Sequence, residues 1–469
     1  MKSKLITIDE LYRSGGDWIG QAPTSPIELV TIDSRKCIPN SMFFALKGNN
    51  SDGQEFIPKA LESGASIVVY SDSKYDSLFV KTGKLGIRVP DPILYMHDLA
   101  KRVIRKVEFP VLAITGSNGK TTTKEMIAAV LSNKFTVHKT NKNLNNHLGV
   151  PLTIFELERR HNFFVVEMGM NHAGEIWTLC EIAMPNSGLI TNIGTAHIEY
   201  FGTQEKIAEA KGELFSYLRK NKGFLFVNAD DPFLLKQLKK TTSASFYGIK
   251  NGEASVRATH LKADEFSRYS FRWIDEKSQK SGSVKLKLPG IHHVHNALSA
   301  VAVGIRHGIN PQLISETLSE FYAQENRMDM KTIGDITIIS DCYNANPDSM
   351  KAGLKALSDM NKSHRKIAVL GDMFELGELS QHLHKEMGEY INTLHLDGVI
   401  TIGKESKHIH KAISESSEVK EKLHFLKKED AITWLDKNIH QEDIIYIKAS
   451  RGMKLEAVTQ FLENKPEEK

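Results

Sequence analysis

Cysteine is scarce in this 469-residue chain: Cys37, Cys180 and Cys342 stand far apart and form no CxxC or other ligand spacing. Neither a disulfide framework nor a cysteine zinc site follows, and a reducing compartment fits. Long apolar runs are also missing. No stretch approaches the roughly 18 apolar residues of a membrane span, and the polar start, Met1 to Leu11, has no apolar core. The chain therefore reads as untargeted and cytoplasmic. Nor is there a large excess of one charge, since 61 Lys and Arg stand against 57 Asp and Glu, for a net charge of +4. Basic clusters are short, so a phosphate-tracking nucleic-acid surface is not expected. Solenoid repeats are absent, and the charged tail Glu463 to Lys469 is the one low-complexity piece, expected to fray. What remains is an ordinary globular composition, 41% hydrophobic and 25% charged. At roughly 150 residues per domain, the length suggests about three domains.

The chain falls into three α/β blocks. Residues 1–108 mix short apolar runs such as Ser66 to Tyr70 with turn-rich stretches, and end in the helical pattern Met96 to Val107. In residues 109–322, the apolar runs Phe109 to Thr115, Phe163 to Met168, Gly188 to Ile193 and Gly223 to Val227 alternate with helical segments, the pattern of a mostly parallel, helix-covered sheet. Ser245 to Leu288 reads as an antiparallel appendage, followed by a helix over Asn296 to Gly308. Residues 323–469 alternate again, with strands expected at Ile336 to Ser340, Lys366 to Leu370, Gly398 to Ile402 and Ile444 to Lys448. That makes the third block a second, Rossmann-like sheet.

The sharpest chemical signal is Thr115-Gly116-Ser117-Asn118-Gly119-Lys120-Thr121-Thr122, directly after an apolar strand and before a helix. Such a loop curls backbone N–H groups around phosphates, the helix N-terminus adds partial positive charge, Lys120 reaches the β/γ oxygens and Thr121 can hold Mg²⁺. Ile114 stands where the common pattern has another glycine. Glu167, at the end of the strand Phe163 to Met168, is placed to hold Mg²⁺ at the ligand edge of a parallel sheet, although alone it also reads as a solvated carboxylate. His197 lies just past the next strand end, where ligand and structural roles are equally open. Lys211 sits in a helical stretch and reads most simply as solvated. His292, His293 and His295 are adjacent, point different ways on a helix turn, and favour loop and helix-entry roles over a metal site.

Taken together, the strings Asp33-Ser34-Arg35, Gly116 to Thr122, Asn143 to Asn146 with Gly149-Val150-Pro151, Glu167-Met168-Gly169, Asn192 to His197, Asn296-Ala297, Arg327, Asp341 to Met350 and Gly371-Asp372-Met373 resemble the Mur ligase family. These are the ATP-dependent amide-bond-forming enzymes of bacterial peptidoglycan synthesis. The resemblance runs through all three blocks and is strongest to the branch that joins D-alanyl-D-alanine to UDP-N-acetylmuramoyl-tripeptide. It implies a UDP-sugar-binding first domain, a central ATP-binding P-loop domain and a C-terminal acceptor-binding domain, in a monomer. ATP would bind Gly116, Ser117, Asn118, Gly119, Lys120, Thr121 and Thr122, with Asn296 on adenine and Arg327 and Asp341 reaching the nucleotide. Mg²⁺ would be held by Thr121, Glu167 and His197, and by Lys211 as an N-carboxylated carbamate. Catalysis would rest on Lys120, Glu167, His197, Lys211 and Arg327. Ser34 and Arg35 would hold the uridine diphosphate, and Asn145 and Asn146 the sugar-peptide. Gln54 departs from the family, where a histidine is common.

The implied reaction phosphorylates the tripeptide carboxylate to an acyl phosphate, which the dipeptide amine then attacks. Ser450 and Arg451, after the strand Ile444 to Lys448, are candidates to line the acceptor pocket. Rival readings are the branch that adds the third amino acid, a folylpolyglutamate synthase, a P-loop switch or transport ATPase, and a sugar-nucleotide binding protein. The third-residue-adding branch carries an Asp-Asn-Pro-Arg motif that this chain lacks.

Overall fold

The structure is a computed structural model that describes residues 4–48, 51–238, 243–322, 326–361 and 363–464. The expected domain boundary at 322/323 and residues 465–469 of the charged tail lie at or beyond the limits of that set. Packing groups the chain into two compact units. One is Met1–Ile114, Lys134–Gly188 and Glu213–Phe224; the other is Thr115–Asn133, Leu189–Gly212 and Leu225–Lys469.

The first unit holds a five-stranded sheet in the order Asp17–Ile19, Leu85–Arg88, Ala65–Tyr70, Ser41–Phe44, Leu29–Thr31. The first pair is antiparallel and the others are parallel. Ala65–Tyr70 is buried at every position, which is why it reads as a continuous apolar run. The helix Pro92–Ile104 begins before the expected Met96 because Asp91 caps it, accepting the N–H groups of Ile93 and Leu94, and Pro92 fits the first turn. It buries Tyr95, Met96, Leu99, Ala100, Val103 and Ile104, one face at helical spacing. A parallel set follows, Val137–Lys139 beside Phe163–Glu167 beside Val111–Thr115, in which Ile114 pairs with Glu167.

In the second unit the appendage is only partly antiparallel. Ala244–Gly248 pairs in parallel with Phe224–Asn228, because the intervening helix Pro232–Lys236 makes a crossover and not a hairpin. The antiparallel meander is Val256–Ala263, Arg268–Asp275 and Lys280–Pro289. The next helix spans His292–Arg306, so the three histidines lie within it, ahead of the Asn296 start read from sequence.

The third sheet runs Asp329–Ile333, Ile336–Ser340, Ile444–Lys448, Lys366–Gly371, Gly398–Ile402, Glu421–Phe425, antiparallel only at its first edge. Ile338, Val369, Ile400, Ile445 and Ile447 form its apolar core. Because Ile336–Ser340, Ile444–Lys448 and Lys366–Gly371 are parallel neighbours, the segments after them (Asp341 onward, Ala449 onward and Asp372 onward) share one sheet edge. Ligands of open α/β sheets bind at such edges. Ile447→Ala, which empties a fully buried position in the inner strand, is expected to lower stability by about 2–5 kcal/mol, read by denaturant unfolding.

Candidate active site

The phosphate-loop residues of the second unit are held by the string Thr191 to His197. Gly116 has φ 146°, and a Cβ there would lie 1.8 Å from Thr191 Oγ1. Ser117 N–H donates to Asn192 O at 3.0 Å, and Ser117 Oγ accepts Gly194 N–H at 2.8 Å. Asn118 N–H donates to Asn192 Oδ1 at 3.1 Å, while its carbonyl accepts Thr191 Oγ1 at 2.6 Å and Asn192 Nδ2 at 3.0 Å. Gly119 takes the left-handed φ of 78° as the cap of the helix Lys120–Leu131, and a Cβ there would meet Asn296 Oδ1 at 2.9 Å. The glycine loop, the helix N-terminus and the side chain assigned to adenine thus meet at one place. Lys120 Nζ donates to Gly116 O at 2.7 Å, curled over the loop where phosphate oxygens would take its protons. Thr121 and Thr122 are buried in the first turn.

Segments of the third block bond directly to this string. Asn346 Nδ2 donates to Asn118 Oδ1 at 2.7 Å, and Asp348 Oδ2 accepts Thr195 N–H and Oγ1–H at 2.6 and 2.8 Å. His197 has φ 66° and places Nδ1 2.7 Å from Glu375 Oε2. That contact, with the charge of Lys120 adding, holds the Glu375 carboxyl below the usual range. A proton on Nδ1 leaves Nε2 with its lone pair, the form in which a histidine ligates a metal.

Lys211 is not solvated. It is 1% exposed in the helix Gln204–Lys220, with no hydrogen bond or ion pair recorded for its ammonium among the described residues. Burial, with Lys120 as a like-charged neighbour, pulls its pKa well below the lysine range, so the amine is held toward its neutral, nucleophilic form. Asn296 is buried and its Nδ2 lies 3.3 Å from His293 Nδ1. The His292 and His293 rings lie 4.1 Å apart, tilted by 46°, and burial pushes His292 down to about 4, while His295 pairs with Asp230 at 2.8 Å. Asp341 Oδ2 receives Lys448 Nζ at 2.5 Å and Tyr446 Oη at 3.1 Å, and its Oδ1 accepts Met328 N–H at 3.2 Å. Arg327 lies over the Tyr343 ring, 3.7 Å from its centroid.

In the first unit Glu167 is 2% exposed at its strand end, its N–H bonded to Thr140 Oγ1 and its Oε1 accepting Asn145 Nδ2 at 2.9 Å. Asn146 Oδ1 accepts the N–H groups of Leu148 and Gly149 where the next helix begins. The side chains assigned to the sugar-peptide are therefore engaged in holding Glu167 and a helix start. Ser34 is buried, whereas Arg35 is exposed and forks onto Asp33 at 2.8 and 2.9 Å. Gln54 is buried and its Oε1 accepts Ser71 and Asp72 N–H at 2.9 and 2.8 Å, a loop-closing role at the position that departs from the family.

Residues 26–103 match the description Mur ligase family, catalytic domain; residues 114–304 match the Mur ligase middle domain; and residues 326–451 match the Mur ligase, glutamate ligase domain. A Bacillus subtilis protein named UDP-N-acetylmuramoyl-tripeptide--D-alanyl-D-alanine ligase is 35% identical over 438 residues, covering 93% of each chain. The chain belongs to the Mur ligase family. MurF from Acinetobacter baumannii has a similar solved structure, with TM-score 0.88 and 28% identity over 99% of this chain and 100% of that one. MurF from Thermotoga maritima, solved in complex with ADP, matches with TM-score 0.81 and 28% identity over 93% and 97%. The fold is accordingly the three-domain α/β fold of that family.

Several residues of this Mur ligase that build the site went unassigned in the sequence. Thr191 and Asn192 hold the loop, Asn346 and Asp348 tie it to the third block, and Glu375 orients His197. Asn192, Asn346 and Asp348 lie in strings that carried the family resemblance without a role for each, Thr191 lies just past a strand end, and Glu375 gave no signal. Gly116→Ala is expected to weaken nucleotide binding at least about tenfold in a folded protein, because the new methyl must displace Thr191; a nucleotide titration with circular dichroism as the folding control checks it.

Proposed function

We propose that this chain joins D-alanyl-D-alanine to UDP-N-acetylmuramoyl-tripeptide, consuming ATP and forming the UDP-muramoyl-pentapeptide in the cytoplasm. The observation that carries the reading is the Asn118–Asn346 bond, which ties the nucleotide loop to the Asp341 to Met350 string of the third block, one of the strings that carry the family resemblance. A switch ATPase has no need of a third block committed to its phosphate loop. The names of the relatives above agree with this reading.

The chemistry has two steps. A carboxylate oxygen of the tripeptide attacks the γ-phosphorus of ATP and ADP leaves, giving an acyl phosphate. The dipeptide amine then attacks the acyl carbon, the C–O bond to phosphate breaks, and the amine proton goes to solvent. Gly116–Thr122 hold the triphosphate, and Lys120 and Arg327 offset the charge that spreads over the transferred group. In the second unit the Thr121 hydroxyl and His197 Nε2, its ring turned by the Glu375 carboxylate, are donors that suit a divalent cation, and in the first unit the buried Glu167 carboxylate is a donor of the same kind. Bound Mg²⁺ would neutralise the phosphate oxygens during transfer. Neutral Lys211 Nζ can attack CO₂ and lose a proton, becoming an anionic carbamate that suits the same cation. Acyl phosphates hydrolyse readily, so closure of the third block by the Asn346 and Asp348 bonds also serves to exclude water.

Phosphate release should require ATP, UDP-muramoyl-tripeptide and D-alanyl-D-alanine together. Faster turnover of a UDP-muramoyl-dipeptide with diaminopimelate or lysine would assign the chain to the third-residue-adding branch instead. Lys120→Ala should lower kcat by about 10²–10³-fold with the fold intact, since its ammonium acts on charge formed in transfer. Lys211→Ala should be inactive and regain partial turnover with millimolar formate or acetate, which replace the carbamate's anion; full activity without additive would return Lys211 to a packing role.

A further inference from the structure

Two arginines share the ring of Tyr343. Arg327 Cζ lies 3.7 Å from its centroid and Arg451 Cζ 5.0 Å. Lys448, one strand end away, is neutralised by Asp341, yet neither arginine has a carboxylate partner among the described residues. Two like charges gathered on one aromatic ring, with no counter-ion among the described residues, leave a place for an external anion, and a guanidinium fork suits a carboxylate or phosphate.

Both arginines are fixed from their backbones. Asn326 and Met328, on either side of Arg327, adopt left-handed φ of 60° and 53°. Asn326 O accepts Tyr343 N–H at 3.1 Å, Asn326 Oδ1 accepts Ser340 Oγ–H at 2.8 Å, and Met328 N–H reaches Asp341. Next to Arg451, Ser450 N–H donates to Asp372 O at 3.1 Å, and Ser450 Oγ accepts Phe374 N–H at 2.8 Å. The Ser450 hydroxyl is thereby occupied in anchoring the loop, which leaves Arg451 as the group that can meet a ligand.

We propose that Arg451 receives the terminal carboxylate of the dipeptide acceptor, and that Tyr343 is a positioning residue that sets Arg451 beside Arg327. This rests on the ligase reading above. The two guanidinium carbons can be at most about 9 Å apart, the two ring distances end to end, and an extended dipeptide spans about 7 Å. A dipeptide carboxylate on Arg451 therefore leaves its amine near the group that Arg327 neutralises.

The test compares phosphate release on D-alanyl-D-alanine with that on D-alanyl-D-alaninamide, which keeps the amine and removes the negative charge. Arg451→Ala should raise the acceptor KM about 10–100-fold, leave the ATP KM within about twofold, and abolish the wild-type preference for acid over amide. Tyr343→Leu should lose the same preference, and Tyr343→Phe, which keeps the ring, should restore it. Arg451 is exposed, so its loss does not endanger folding. An Arg451→Ala enzyme that still prefers the acid as strongly as wild type overturns the carboxylate assignment. Equal impairment of Tyr343→Phe and Tyr343→Leu overturns the positioning role. A wild-type enzyme with no acceptor-dependent phosphate release fails the ligase reading itself, and this proposal with it.

Discussion

Asn118 is held at four of its polar contacts: its N–H by Asn192, its carbonyl by Thr191 and Asn192, and its side-chain oxygen by Asn346. Each such bond contributes only about 0.5–1.5 kcal/mol net, but together they set the curve of a loop whose backbone must face phosphates. Gly116 belongs to the same constraint, since only a residue without Cβ can lie against Thr191. The loop therefore depends on the strand-end string that follows, and through Asn346 on the capped start of the helix Pro347–Ser358. The glycine loop and the start of a third-block helix are thereby held by one set of hydrogen bonds.

A second constraint is electrostatic. Lys120 and Lys211 are cations near one another, and the second is buried with no acidic partner among the described residues. A buried lysine in that setting is driven toward neutrality, which carbamate formation needs and a structural ion pair would prevent. His197, strained into left-handed backbone, is instead given a carboxylate in Glu375. The same region so holds one basic group neutral and orients another.

Local features were legible in the sequence. The strands Ile336–Ser340, Gly398–Ile402 and Ile444–Lys448 stand where their apolar runs predicted, and the phosphate loop is a contiguous string between a strand and a helix. Its supports were not legible, because they are set by folding: Asn192 is 74 residues from Asn118 and Asn346 is 228. Asn145 and Asn146 were assigned to substrate although their nearest tasks are local, since a polar side chain before a helix reads alike whether it caps or binds. Lys211 did carry a signal. It follows Ile207 by four residues and precedes Leu214 and Leu218 on one helical face, and all three of those are fully buried, so its burial could be read from periodicity. The antiparallel reading of Ala244–Gly248 failed because a five-residue helix, Pro232–Lys236, was too short to announce a crossover.

The central claim is that the third block and the phosphate loop serve transfer of a phosphoryl group to a carboxylate and not to water. The most direct measurement uses UDP-muramoyl-tripeptide carrying ¹⁸O in both oxygens of its terminal carboxylate, with ATP and D-alanyl-D-alanine in unlabelled water. Mass analysis of the released phosphate should find one ¹⁸O per molecule, with the other label retained in the new amide. Unlabelled phosphate, with its fourth oxygen taken from water, would contradict the account.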